Sequence, residues 1–154
     1  MTEARIKVVV QNRRARHDYY IEDRYEAGMV LMGSEVKSMR AGKVSLQEAY
    51  CLVQGGEVFL VNAHIAPYAS ARYFGHEPRR KRKLLLNHRE IRKLRKATEQ
   101  KGYTLIPLKI YLKDGKFKLE LGLGKGKQTQ DKRHAIADRE NKRQLDRIKR
   151  HKNR

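Results

Sequence analysis

The chain has 154 residues, enough for one domain with a single modest core. Its 37 Lys and Arg residues against 17 Asp and Glu give a formal net charge of +20, well beyond what solubility needs, so a polyanionic partner is expected to offset the self-repulsion. No apolar run approaches the ~20 residues of a membrane span, the first ten residues lack the apolar core of a secretory signal, and the lone Cys51 excludes an internal disulfide; a cytoplasmic protein with no membrane partner is the expectation.

In chain order, Val8–Val10 suggests a short first strand. Asn12, Arg13, Arg14, Arg16 and His17 then form a donor-rich turn suited to gripping phosphates, with Tyr19 or Tyr20 offering a stacking face. The bland alternative is a solvated basic turn over core tyrosines. Tyr19–Ile21 and Tyr25–Leu31 read as one long strand, in which Gly28 marks a bulge or tight bend. Ser34 is the expected cap of a short helix with Glu35 in its first turn, Val36 and Met39 facing inward, and Gly42 ending it. Tyr50–Gln54 and Glu57–Asn62 flank Gly55-Gly56 as a hairpin, with Cys51 as core filler.

Arg79–Lys83 places five like charges in a row, which implies a counter-charge outside the chain, and Leu84–Leu86 reads as a core segment. A longer helix is expected from Asn87, with Glu90 three residues on as a variant capping box, an inner stripe of Ile91, Leu94 and Thr98, and Gly102 as the stop. The clearest element is a hairpin about Asp114-Gly115. A two-residue loop pairs Leu112 with Phe117, Ile110 with Leu119 and Leu108 with Leu121, and sets Lys109 opposite Glu120. Several short strands with two or three helices in about 120 residues fit a mainly β, closed barrel of the oligonucleotide-binding (OB) type.

The composition changes at Gly122, Gly124 and Gly126, which read as a flexible hinge. From Lys125 onward twelve basic residues face four acidic ones and few apolar side chains, a composition that cannot offset its own ordering entropy. The expected organisation is thus a barrel over residues 1–124 and a basic tail over 125–154, disordered when free and helical on contact with RNA. The six histidines show no metal-ligand spacing, the carboxylates form no acid/base pair, and no nucleotide-binding or nucleophile motif appears, so neither a cofactor nor catalysis is expected. A structural ribosomal protein and an RNA-modifying enzyme are the competing classes.

Five motifs carry a resemblance. They are Asn-Arg-Arg-Ala-Arg-His-Asp-Tyr at 12–19, Tyr-Glu-Ala-Gly at 25–28, Gly-Ser-Glu-Val-Lys-Ser-Met-Arg-Ala-Gly-Lys at 33–43, Arg-Lys-Leu-Leu-Leu at 82–86 and Lys-Gly-Lys-Gln-Thr-Gln-Asp-Lys-Arg at 125–133. In this order they resemble the SsrA-binding protein (small protein B) family over about residues 8–134, with Gln128 standing where that family often has Lys. The resemblance implies an OB barrel that binds the tRNA-like domain of transfer-messenger RNA and delivers it to ribosomes stalled on messages lacking a stop codon, where the incomplete peptide is tagged. It implies that the tail enters the decoding centre and mRNA channel, and that an elongation factor and alanyl-tRNA synthetase take part only through the RNA, the protein itself acting as a monomer. Carried over by motif, Glu26, Leu85 and Asn87 are the RNA contact set, and Asp131, Lys132 and Arg133, with Lys125 and Lys127 before them, are the ribosome-engaging tail. The basic side chains Lys37, Arg40 and Lys83 lie within the matched motifs and complete the candidate RNA-contacting set.

Overall fold

A computed structural model describes residues 5–68 and 75–127, together with residue 143. The elements in order are β1 (Ile6–Gln11), α1 (Ala15–Asp18), β2 (Tyr19–Met29), α2 (Gly33–Arg40), β3 (Val44–Ser45), β4 (Tyr50–Gln54), β5 (Glu57–Val61), β6 (His64–Ile65), β7 (Arg82–Leu85), α3 (His88–Glu99), β8 (Tyr103–Lys113) and β9 (Lys116–Gly126). Seven strands hydrogen-bond in the order β1-β8-β4-β5-β7-β2-β9, all pairs antiparallel, and β9 also pairs with β8. That last pairing closes six strands into a ring with β1 added outside it, a mainly β, OB-like arrangement that leaves few open edges. The short β3 and β6 form a separate pair.

Alternation along the strands sends one side chain in two into the ring. Ala27, Leu60, Leu84, Ile110, Leu119 and Leu121 are fully buried there, and Cys51 fills core space as its neighbours suggest. Helix α3 closes one side with Leu94, flanked by Ile91 and Ala97. Burial pushes the Cys51 thiol well above its ordinary pKa, so it stays protonated and inert.

The β8–β9 hairpin keeps the expected register from its turn to Lys109–Glu120, and then departs from it. Pro107, not Leu108, faces Leu121, because an extra residue is accommodated between Pro107 and Lys109. Proline has no N–H to give a ladder, so a bulge is where it is tolerated. The bulge falls where the far edge of β8 changes partner, from β1 at Lys109–Lys113 to β4 at Leu105. Asn12 holds it: its side-chain Nδ2 donates to the Pro107 carbonyl at 2.9 Å and its backbone N–H to the Leu108 carbonyl at 2.8 Å.

The three glycines expected as a hinge lie instead within β9, which pairs with β8 as far as Lys125 and with β2 as far as Gly126. A Cβ at Gly122 would sit 3.0 Å from the Leu108 side chain, and one at Gly124 would sit 2.3 Å from the Tyr20 carbonyl oxygen. These glycines permit close approach rather than bending. The irregularity in β2 also lies elsewhere than expected, between Ile21 and Asp23, while Gly28 stays in register with Leu85 and Lys118.

Helix α2 is capped from within. The Glu35 carboxylate accepts from the Met32 N–H at 2.8 Å, so the helix starts at Gly33 and Ser34 is not its cap. Ser34 instead donates to Nδ1 of the buried His76 (2.9 Å), whose Nε2 donates to the Ile65 carbonyl (2.9 Å). Four cations of the run Arg79–Lys83 find acidic partners inside the chain, which corrects the inference that the whole run needs an external one, while Lys81 meets the Gln54 amide oxygen and lies over the Phe59 ring. Fully buried Arg82 pairs with fully buried Glu35 and donates to the carbonyls of Ala63 (2.8 Å) and Pro78 (3.0 Å). Arg80 reaches the same carboxylate at 2.5 Å, Arg79 meets Glu48 at 3.1 Å, and Lys83 meets Glu57 at 2.7 Å. Acidic residues far away in sequence redefine the segment, a relationship invisible to local charge counting. Burial alone would raise the Glu35 pKa, but bonds from Arg80, the Met32 N–H and Arg82 hold it below the ordinary value.

Candidate nucleic-acid interface

In β2 the buried Ala27 fixes which residues face outward, and these include Glu26 and Gly28. Leu85 of β7 is the cross-strand partner of Gly28, and a Cβ on that glycine would approach the Leu85 Cβ to 3.3 Å. The missing side chain lets Leu85 lie across β2, where it is 52% exposed. This corrects its reading as core: of Leu84–Leu86 only Leu84 is fully buried. Two residues on, exposed Asn87 begins α3 as expected. Its Oδ1 accepts the Glu90 N–H at 2.9 Å, and the Glu90 carboxylate accepts the Asn87 N–H at 3.3 Å. Among the described residues no hydrogen bond engages the Asn87 side-chain NH2 group.

The Glu26 carboxylate accepts from the Tyr111 hydroxyl and from Lys113 Nζ (3.3 Å). The Tyr111 bond, aided by Lys113, holds Glu26 below the ordinary carboxylate range, and burial together with Glu26 pushes the Tyr111 phenol up. Glu26 is therefore ionised at neutral pH, a carboxylate acceptor within a basic surround. Its partner across β9 is Glu120, which binds Lys109 at 3.3 Å and Arg24 at 3.4 Å. Those two cations line a cleft of about 430 Å³ with Arg13 and Arg16. Cross-strand pairing thus makes Leu85, Glu26 and the cleft cations neighbours on one outer face.

The turn Asn12–His17 divides its side chains. Arg13 and Arg16, three apart, line that cleft, whereas Arg14 lines a second cleft on the other side of α1. His17 Nδ1 meets the Asp18 carboxylate at 2.9 Å. Asn12 is half-buried and engaged with the bulge. Lys83 flanks Leu85 on the same outer face and pairs with Glu57. Lys37 and Arg40 lie elsewhere, on α2: Lys37 Nζ sits 5.2 Å from the Tyr68 ring centre, and Arg40 flanks Lys7 and Val8 of β1. Lys125 and Lys127 lie 4.8 Å over the rings of Tyr103 and Tyr20 respectively. Lys127 is further held by its N–H to the Asp18 carbonyl (2.7 Å) and its Nζ to the Arg16 carbonyl (2.9 Å). Asp131, Lys132 and Arg133 fall outside the described residues, as does the tail beyond Lys127 apart from residue 143.

Arg24, Lys109, Tyr111 and Glu120 were not singled out as site residues from the sequence. The signal was present in part, since Arg24 and Glu26 alternate with inward residues and the hairpin sets Lys109 opposite Glu120, but the β2–β9 pairing that brings these residues together is not written in either strand alone. Among the described residues no group of three or more His, Cys, Asp or Glu side chains could hold a metal ion. No described helix is long and apolar enough to cross a membrane.

The family model described as SmpB protein matches residues 9–151. The chain belongs to the SmpB family. An SsrA-binding protein of Anaeromyxobacter sp. (strain Fw109-5) is 57% identical over 141 residues, covering 92% of this chain and 86% of the relative. The SsrA-binding protein of Halalkalibacterium halodurans is 51% identical over 154 residues and the full length of both. A solved chain from work described as "tmRNA-SmpB: a journey to the center of the bacterial ribosome" superposes with a TM-score of 0.66 at 50% identity, covering 82% of this chain and 93% of that one. The matched span includes the ring's outer face with Glu26 and Leu85, the α3 cap at Asn87 and the turn before β2.

Proposed function

We propose that this protein binds transfer-messenger RNA and delivers it to stalled ribosomes for trans-translation, acting by recognition and not by catalysis. The observation that carries the reading is identity of 51–57% to SsrA-binding proteins along nearly the whole chain. A solved relative studied with tmRNA on the bacterial ribosome supports the two partners. The outer face supports a division of labour. Arg13, Arg16, Arg24 and Lys109 meet phosphates, while Glu26, Leu85 and Asn87 supply an acceptor, an apolar contact and a donor for the tRNA-like domain. Lys83 adds charge beside Leu85, and Lys37 and Arg40 on α2 serve as a more distant phosphate contact.

In this reading residues up to Lys127 form the RNA-binding unit. The segment beyond it, with Asp131, Lys132 and Arg133, engages the decoding centre and the mRNA channel. The protein acts in the cytoplasm as a monomer, and meets elongation factor and alanyl-tRNA synthetase only through the RNA.

Purified protein titrated with the transcribed tRNA-like domain of transfer-messenger RNA tests this. Log K should fall with log salt by roughly 0.7–0.9 per phosphate contacted, with a slope reporting several contacts, and an ordinary tRNA should bind more weakly. A salt-indifferent isotherm, or equal affinity for any structured RNA, would overturn it.

A further inference from the structure

Arg14, the residue before α1, lies apart from Arg13 and Arg16 and lines a separate cleft of about 160 Å³ between α1, β4 and β8. Its walls are of a distinct kind. Tyr19 and Tyr50 supply aromatic surface, Tyr50 being 50% exposed, and Gln47 and Asp18 supply amide and carboxylate groups. Tyr50 lies at the start of β4 with its backbone paired to Val61, so strand pairing holds its main chain in place. Gln47, two residues into the preceding turn, is fixed by its own backbone N–H donating to Ser45 Oγ at 3.2 Å. Among the described residues no hydrogen bond engages the Tyr50 hydroxyl, the Gln47 amide or the Arg14 guanidinium. At about 160 Å³ the cleft has room for one flat heterocycle.

We propose that this cleft is a subsite for one unstacked RNA base, which lies against Tyr50 and Tyr19 with its polar edge toward Gln47, while Arg14 holds the adjoining phosphate. The proposal rests on the RNA-binding function above and adds to it a second point of contact, across α1 from the Arg13–Arg16 cleft. An aromatic face is sequence-tolerant, whereas an amide offers a donor and an acceptor to a base edge, so the site selects an exposed base first and its identity second. The turn Asn12–His17 then acts as a ridge that the RNA straddles, with cations on both flanks.

The two kinds of contact separate by salt. In titrations of the full chain with the transcribed tRNA-like domain, Tyr50→Ala should weaken binding about tenfold and leave the slope of log K against log salt unchanged. Tyr50→Phe should bind as the wild type does. Arg14→Ala should lower the slope by roughly one phosphate, ~0.7–0.9. Ultraviolet crosslinking of the wild-type complex should attach a nucleotide to the peptide carrying Tyr50 or to that carrying Tyr19. If the wild type binds this RNA while Tyr50→Ala binds equally well and neither peptide crosslinks, the cleft proposal fails and the function stands. If the wild type does not bind this RNA, both fail. Tyr50 is half-exposed, and a thermal melt of Tyr50→Ala matching the wild type shows that any loss of affinity is not a loss of fold.

Discussion

A single buried carboxylate decides how the basic segment at 79–83 behaves. Glu35 accepts from Arg80, Arg82 and the Met32 N–H, tying α2 to β7 and the loop before it. Removing one partner of such a buried pair leaves the other uncompensated, so Glu35→Gln should cost about 3–5 kcal/mol, measured by urea unfolding. The pH dependence has a definite sign. The folded pKa of Glu35 lies below its ordinary 4.5, so its contribution is complete above that value and is lost as pH falls through the folded pKa. Wild-type stability should therefore decline in acid below about pH 4.5, and the Glu35→Gln profile should be flatter there. Gly124→Ala is the matching steric test. The new Cβ would lie 2.3 Å from a backbone oxygen of β2, so the strands must part, at about 1–3 kcal/mol. Neither effect was legible in the sequence. Gly124 sits among spaced glycines that read as a hinge, because what makes it necessary is a neighbour more than a hundred residues away.

At the scale of elements, what the chain says locally survives and what depends on a distant partner does not. The α3 cap, the two hairpin turns and the pairing of Ile110, Leu112 and Lys109 follow from patterns within a few residues, and all are present. The register beyond Pro107 depends on β1 ending and β4 beginning along the same edge, so alternation alone carried Leu108 to the wrong partner. Asn12 belongs to this element as much as to any RNA site. Losing its bond to the Pro107 carbonyl, Asn12→Ala should cost about 1 kcal/mol of stability, seen as a lowered urea midpoint. Asn87→Ala should likewise cost about 1 kcal/mol as a lost cap, and should weaken RNA binding by more than that. Affinity unchanged in the folded Asn87→Ala protein would make this residue a cap alone. Of the candidate site, Glu26 and Leu85 are brought to neighbouring strands by β2–β7 pairing, which the motifs carried and periodicity did not. Leu85 lies in an apolar triplet, and only the glycine opposite explains why it is outside the core.

For the whole molecule, a net charge of +20 is distributed unevenly. The run at 79–83 is partly neutralised by Glu35, Glu48 and Glu57, whereas the α1 turn places cations on two flanks of one ridge beside the Glu26 face. In the proposed function RNA recognition lies on the ring and ribosome engagement beyond Lys127, whose own contacts tie it to Arg16 and Asp18 of α1. Sites that share no partners contribute independently, so a chain ending at Lys127 should keep the fold and bind the tRNA-like domain of transfer-messenger RNA within a few-fold of the full chain. The most direct measurement is that truncated protein in an RNA-binding titration beside a reconstituted peptide-tagging reaction on stalled ribosomes. Near-normal binding with tagging abolished is the result the account predicts. Normal tagging without residues 128–154, or RNA binding lost with them, would contradict it.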